Sequence, residues 1–279
     1  MPKPGAMTTW ALVGDTFREA FARLIFWGFY GLSTAMILFF LFIMKMDIVE
    51  GAKATISLFG QTTGRTQELT GVVRTFQGGI AVFLYTWGMA LAVFASAGLI
   101  PTVLEAGRIE LLLSKPVTRH HILLGRYAGS VLVVALNIAY LVLGVWLILG
   151  WKSGIWNPSF LWAIPAAVFV FAVLLTVVTL VGVLFESAAL AVMVAFGMML
   201  MSPVLAQTDL MEKLLSSQWT RNLWKALYYV SPKVYDLGRM TLTVVRGGQS
   251  GSWMPVWSSA LFAVAVLGVA LYVFSRRDY

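Results

Sequence analysis

Cysteine is absent from all 279 residues, histidine occurs twice, and charged residues make up only 11% of the chain, where a soluble domain carries about 25%. The first absence excludes disulfide frameworks, thiolate metal sites and cysteine nucleophiles, and leaves the redox compartment unread. The shortage of charge excludes an ordinary water-facing surface. Apolar residues take its place, at 59% of the chain with 14% aromatic. Runs near the roughly 20 residues that cross a hydrocarbon core lie at about 24–44, 79–100, 128–150, 160–184, 188–206 and 256–275. The expectation is an all-α polytopic membrane protein with six transmembrane helices and both termini on one side. A charged, aromatic leader precedes the first run and no small-residue cleavage site ends it, so Met1 to Tyr279 is read as mature.

Catalytic patterns are missing too. The sequence has no GxSxG, HExxH, P-loop or dinucleotide fingerprint, so no catalytic residue is assigned and the chain is expected not to be an enzyme. His120 and His121 are adjacent, without a third ligand at helical spacing. Neighbours on a helix point about 100° apart, so they are read as a solvated interfacial pair and no metal is assigned. Inside the six runs no Asp, Glu, Lys, Arg or His occurs except Glu186, at a turn. Ion-driven carriers and voltage sensors place such residues inside the membrane; the energy for any transport must therefore come from outside this chain. Ser33, Thr34, Thr86, Ser96, Asn137, Thr176, Thr179 and Ser202 read as helix-packing groups. Asn137 stands apart, since an amide facing lipid leaves donors unsatisfied. The net charge of +8 is scattered through the connectors, which fits membrane headgroups and not the single basic stripe that nucleic acid requires.

The connectors carry their own patterns. Before the first run, Trp10, Val13, Phe17, Phe21 and Leu24 share one helical face, while Asp15, Arg18, Glu19 and Arg23 fall largely opposite. This predicts an amphipathic elbow helix over 1–23 feeding the membrane. Residues 45–78 read as a polar loop with short helices, and Glu186 with Ser187 as a tight turn. The stretch 207–255, between the fifth and sixth runs, holds helical spacing from Leu210 to Tyr228 interrupted by charges, which predicts an interfacial or partly re-entrant amphipathic helix broken by the Ser-Pro-Lys at 231–233. The last run and tail occupy 256–279. Placing both termini in the cytoplasm puts nine of the 20 basic residues there, only a slight positive-inside bias.

One stretch concentrates what the rest of the chain avoids. "EAGRIELLLSKPVTRHHILLGR", residues 105–126, holds six formal charges and both histidines between two apolar runs. Glu105, Arg108, Ile109, Leu112 and Leu113 suit a short surface helix; Pro116 ends it, and Val117 to Leu124 begin a second that leads into the third run. Such an element, held between two spans, is built to dock onto a partner.

The pattern E-x-G-R-I-E-L-L-L-S-K-P-V-T-R followed by I-L-L-G-R-Y-x-G resembles the first cytoplasmic loop of ABC-2 type transporter permeases, and the terminal FSRRDY is similar to that family's usual ending. Arg108 stands where Thr is commoner, Thr118 where Ser is, and Arg126 where Lys is. The resemblance implies both termini in the cytoplasm, a location in the inner membrane, and a coupling helix seated in a separate ABC ATP-binding subunit that supplies ATP and Mg, with two permeases pairing with two ATPases. By position, Glu105, Gly107, Arg108, Ile109, Glu110, Leu112, Ser114, Lys115, Pro116 and Arg119 would form the docking element, with the elbow residues Phe17, Arg18 and Arg23 packed beside it. The implied function is an exporter permease, its cargo unidentified and amphiphilic or lipid-like given the sparse charge of the spans. The alternative is a non-transporting subunit that transmits motion to an envelope partner through residues 207–255, or that serves maturation of a copper enzyme.

Overall fold

The computed structural model describes residues 14–22, 24–49, 53–58, 61–62, 67–98, 118–214 and 217–276. Five helices among them are long and apolar enough to cross a membrane, and a sixth candidate joins α1 (Gly14–Ala22) to Phe26–Phe42 across a bend of 77°. The bend divides an amphipathic segment from an apolar one, where the elbow was expected. After α1 come α2 (Leu24–Leu38), extended by a π-helical turn over Phe39–Ile43, α3 (Leu69–Ala97), α4 (Arg119–Ser153), α5 (Ala163–Phe185, entered through a 3-10 turn at Pro158–Trp162) and α6 (Ala188–Leu205). The shorter α7 (Thr208–Leu214), α8 (Gln218–Val230) and α9 (Val234–Val245) lead to α10 (Met254–Arg276).

Helix α5 is the axis of the bundle, packing against α3, α4, α6, α9 and α10. Val170, Phe171, Leu174, Leu175 and Val178 on it are fully buried. Its Thr176 and Thr179 hydroxyls donate back to Val173 O and Leu175 O, so they are satisfied within the helix, as the packing reading requires. Because lipid tails are as apolar as Leu and Val, this core is held by close packing and dispersion, with no hydrophobic gain between helices. The last span is the opposite case. Only 11% of the apolar window in α10 is buried, against 67% for the span containing α5.

Two ends can be distinguished. At the elbow end, α5 closes on Glu186 in the left-handed region (φ 53°), and Ser187 caps α6 by accepting from Leu190 N at 3.3 Å. This is the tight turn the sequence predicted. At the opposite end, α4 stops at Gly154, whose φ of 71° suits glycine and whose N–H donates to Gly150 O at 2.8 Å. The reversal lays the Trp156 ring against Gly150, leaving no room there for a Cβ.

The sheet at that end corrects one expectation. Where a polar loop with short helices was expected over 45–78, the described residues before Leu69 form short strands. Met44–Val49 (β1) pairs antiparallel with Lys53–Leu58 (β2), which also pairs with Gln61–Thr62 (β3) and Gln67–Glu68 (β4). The alternation of Ala54, Ile56 and Leu58 with Thr55 and Ser57 is the period of a strand. The all-α class holds for the bundle, with this small sheet added. The second span likewise begins at Leu69, ten residues before the expected boundary, because Leu69, Val72, Val73 and Ile80 form a buried stripe among polar residues. Helix α4 runs unbroken from Arg119, so residues 119–124 belong to the third span's own helix.

Candidate functional site

At the elbow end the geometry centres on Arg126, in the second turn of α4. Its side chain is 3% exposed and forks onto two carboxylates of α1, Nη2 to Asp15 Oδ2 at 2.7 Å and Nη1 to Glu19 Oε2 at 2.5 Å. Asp15 and Glu19 are four residues apart and so share a helical face, which lets one guanidinium hold both. Arginine's planar fork serves this in a way a lysine ammonium does not. One turn on, a Cβ at Gly129 would stand 2.7 Å from the Thr16 side chain, so α1 and α4 meet there in a close approach that glycine allows. Phe17 completes the contact by packing against Ala20, Phe26 and Val133.

Of the residues assigned from sequence, Phe17 and Arg18 lie on α1, the former packed and the latter exposed. Arg119 opens α4, two turns before Arg126, after Thr118, whose hydroxyl is hydrogen-bonded to His121 Nδ1. Both histidines are exposed. Arg23 and the docking residues Glu105, Gly107, Arg108, Ile109, Glu110, Leu112, Ser114, Lys115 and Pro116 lie outside the described residues. The Arg126 clamp was not assigned from sequence; its signal was the i, i+4 carboxylate pair on the elbow.

The opposite end is held by hydrogen bonds. Asn157 is buried, its side-chain amide donating to Gln77 Oε1 at 2.7 Å and to Val245 O at 3.0 Å, while its backbone carbonyl accepts from Trp146 Nε1 at 2.9 Å. Side chain and backbone of one residue thus tie α3, α4 and α9 together. Lys152, in the last turn of α4, donates to Phe40 O and Leu41 O at 2.8 and 2.6 Å, satisfying carbonyls where α2 passes into its π turn. Within the bundle, Asn137 Oδ1 accepts from Ser33 at 3.1 Å, so the side chain turns towards α2 and not to lipid, while its Nδ2 is buried without a hydrogen-bond partner.

Helix α9 was missed as a packed element. Sequence periodicity placed the amphipathic helix at 210–228, and α8 there does carry a polar and an apolar face, yet it has no buried residue. The chain breaks at 231–233 as predicted, and it is α9 that inserts, through Val234, Leu237, Thr241 and Val245. Tyr85 of α3 meets it, donating to or accepting from Thr241 at 2.8 Å, with Gly238 against the same ring. Cavities flank α9 on both sides. One of about 560 Å³ lies between α3, α6 and α9, lined by Tyr85, Trp87, Met199, Leu200 and Arg239 among others. The other, about 430 Å³, is lined by Trp162, Phe169, Met240 and Trp253. Both are in the range of ligand pockets. Before α9, Lys233 is buried, with its ammonium donating to Tyr228 O at 2.8 Å and lying 3.8 Å from the centre of the Tyr228 ring. Burial pushes its pKa down while Asp236 partly offsets the shift; burial, then the hydrogen bond to Asp236, pushes the Tyr228 phenol up.

Among the described residues no group of three His, Cys, Asp or Glu is placed to hold a metal ion. The arrangement joins α1 to α4 at one end and leaves apolar cavities near the other. Compared with curated proteins, the sequence has no match. A profile of the ABC-2 family transporter protein matches residues 10–279, and the chain, a multi-pass membrane protein, belongs to that family.

Proposed function

We propose that this permease component of an ABC transporter is the moving part of an exporter, driven by ATP hydrolysis in a separate subunit. Membership of the family implies association with an ABC ATPase. The finer reading is that residues 105–119 dock into that ATPase, with Glu105, Arg108 and Glu110 supplying the polar contacts, in an inner-membrane complex of two permeases and two ATPases with both termini cytoplasmic. ATP and Mg belong to the partner, and this chain does no chemistry. The observation that carries the reading is the Arg126 clamp. It locks α1 to the base of α4 two turns after Arg119, so a push delivered at the start of α4 moves both helices as one body. The cargo class is amphiphilic, supported by apolar runs that hold no acidic or basic residue and by the apolar cavities beside α9.

The test is co-purification with candidate ABC ATPases, comparing wild type with an Arg108→Glu, Glu110→Lys double variant. Loss of the ATPase, with the permease still folded, is expected. A variant that keeps a full ATPase complement and stimulated hydrolysis sinks the docking assignment. The second reading, motion transmitted to an envelope partner, draws on α8, whose Trp219, Leu223, Leu227 and Tyr229 are exposed. Vesicles holding the complete complex separate the two, since ATP-dependent movement of amphiphile requires no additional protein under the first and fails under the second.

A further inference from the structure

Arg239 is a cation in an unusual place. It projects from α9 and lines the 560 Å³ cavity between α3, α6 and α9, yet it also lines a second, more open pocket of about 330 Å³ together with Tyr228, Asp236, Thr243 and Ser252. The first is walled by aliphatic and aromatic side chains and the second by hydroxyls, a phenol and charge. Arg239 is the charged residue common to both.

Its charge is unspent. Among the described residues no carboxylate lies within ion-pairing distance of its guanidinium, whose recorded neighbour is the Tyr235 ring at 5.9 Å. Asp236, one turn before it on α9, is engaged elsewhere, accepting from Tyr228 at 2.9 Å and facing the Lys233 ammonium electrostatically. The Lys233 and Asp236 charges offset each other, so the pocket keeps the charge of Arg239. An exposed indole belt marks the level of this pocket: Trp253 and Trp257 flank its Met254 and Pro255, and Trp151, Trp156 and Trp162 are exposed at the same end of the bundle. Indoles at such positions sit at headgroup depth. Below that level the cavity wall includes the π-helical turn Leu84–Gly88 of α3, which turns Tyr85 and Trp87 towards the cavity; breaks of this kind recur at functional sites.

We propose that the cavity beside α9 binds an anionic acyl amphiphile, its phosphate or carboxylate head on Arg239 in the polar pocket and its chain between α3 and α6. A guanidinium offers two parallel donors to such a head, and a chain in the cavity meets apolar walls along its length. A neutral or zwitterionic head gains less, because a choline group brings a second cation to a pocket already positive. The inference deepens the exporter reading by naming its substrate class, but binding requires no ATPase, so the two fail separately.

The experiment titrates the purified full-length protein, in a neutral detergent, with oleoyl lysophosphatidylglycerol and with oleoyl lysophosphatidylcholine, reading the bound fraction by native mass spectrometry. The glycerol lipid is expected to bind at least fivefold more tightly. Arg239→Gln, at an exposed position, is expected to remove the preference and keep the binding that both chains share, while Met199→Trp fills the cavity and weakens both. Equal affinities in the wild type, or a preference that survives Arg239→Gln, overturn the proposal. The absence of native cysteine makes Leu200→Cys a clean probe of the competing occupant. Efficient disulfide linkage of two copies through it, undiminished by the glycerol lipid, places a second copy in the cavity and overturns the proposal as well. Lipid carried through purification identifies a resident molecule and a site that fills only on titration identifies a passing one; either supports the site.

Discussion

The elbow end and the sheet end of this bundle treat charge in opposite ways. At the elbow, the guanidinium of Arg126 is buried and forked onto two carboxylates; near the sheet end, that of Arg239 is exposed, set beside an apolar cavity and left without a carboxylate among the described residues. A desolvated cation needs partners, and once partnered it fixes the elements that carry it. A cation at an open cavity keeps its charge for something that arrives. The first arrangement makes α1 and α4 one mechanical piece, and the second makes a receptive surface.

The contrast is broken most severely at Arg126. Arg126→Met takes the guanidinium from Glu19, whose side chain is only 14% exposed, and from Asp15, which at 58% is open to water. The expected loss is about 2–4 kcal/mol, below the upper range for buried pairs because Asp15 is screened, and is read as a fall in thermal unfolding temperature. Within the clamp, Glu19→Gln should cost more than Asp15→Asn; the reverse order would mean that the exposed arm carries the contact. Next comes Asn157→Leu at the other end, which leaves Gln77 and Val245 O without their donor and is expected to cost about 1–3 kcal/mol, with loosening of α9 seen as faster amide exchange over 234–245.

Gly129→Ala tests whether the elbow is held by contact as well as by charge. Overlap with Thr16 should cost about 1–2 kcal/mol, and Thr16→Gly in the same chain should recover part of it, a coupling that double-mutant thermal data would expose. The smallest effect is expected from Tyr85→Phe, about 1 kcal/mol or less, since Thr241 still donates to Leu237 O at 2.9 Å. A larger loss there would mean that α9 depends on that one bond more than on its packed face.

Much of the architecture can be read directly because a hydrocarbon core demands about 20 apolar residues and the chain supplies them in discrete runs. The ends of those runs are less legible. The span over Leu69–Ala97 begins in a mixed stretch, Leu-Thr-Gly-Val-Val-Arg-Thr-Phe-Gln-Gly, where the apolar stripe is buried against protein and the polar residues need not face lipid. The docking stretch 105–117 is conspicuous in sequence and lies outside the described residues, so its role rests on resemblance. The cavity beside α9 could not be read at all: residues 234–245 mix Tyr, Asp, Arg and Thr with spaced apolar positions, which describes an interfacial helix as well as an inserted one.

Composition and run length by themselves determined that this is a multi-pass membrane protein, and the family pattern around residues 105–126 pointed to its kin. Both follow from one-dimensional facts, the thickness of a bilayer and the order of residues along a short motif. Only the tertiary structure decided that Arg126 answers Asp15 and Glu19 more than a hundred residues away, that α9 and not α8 enters the bundle, and that Arg239 stands between two cavities. Those depend on which helix faces meet, and the sequence of a single helix carries no record of its neighbour.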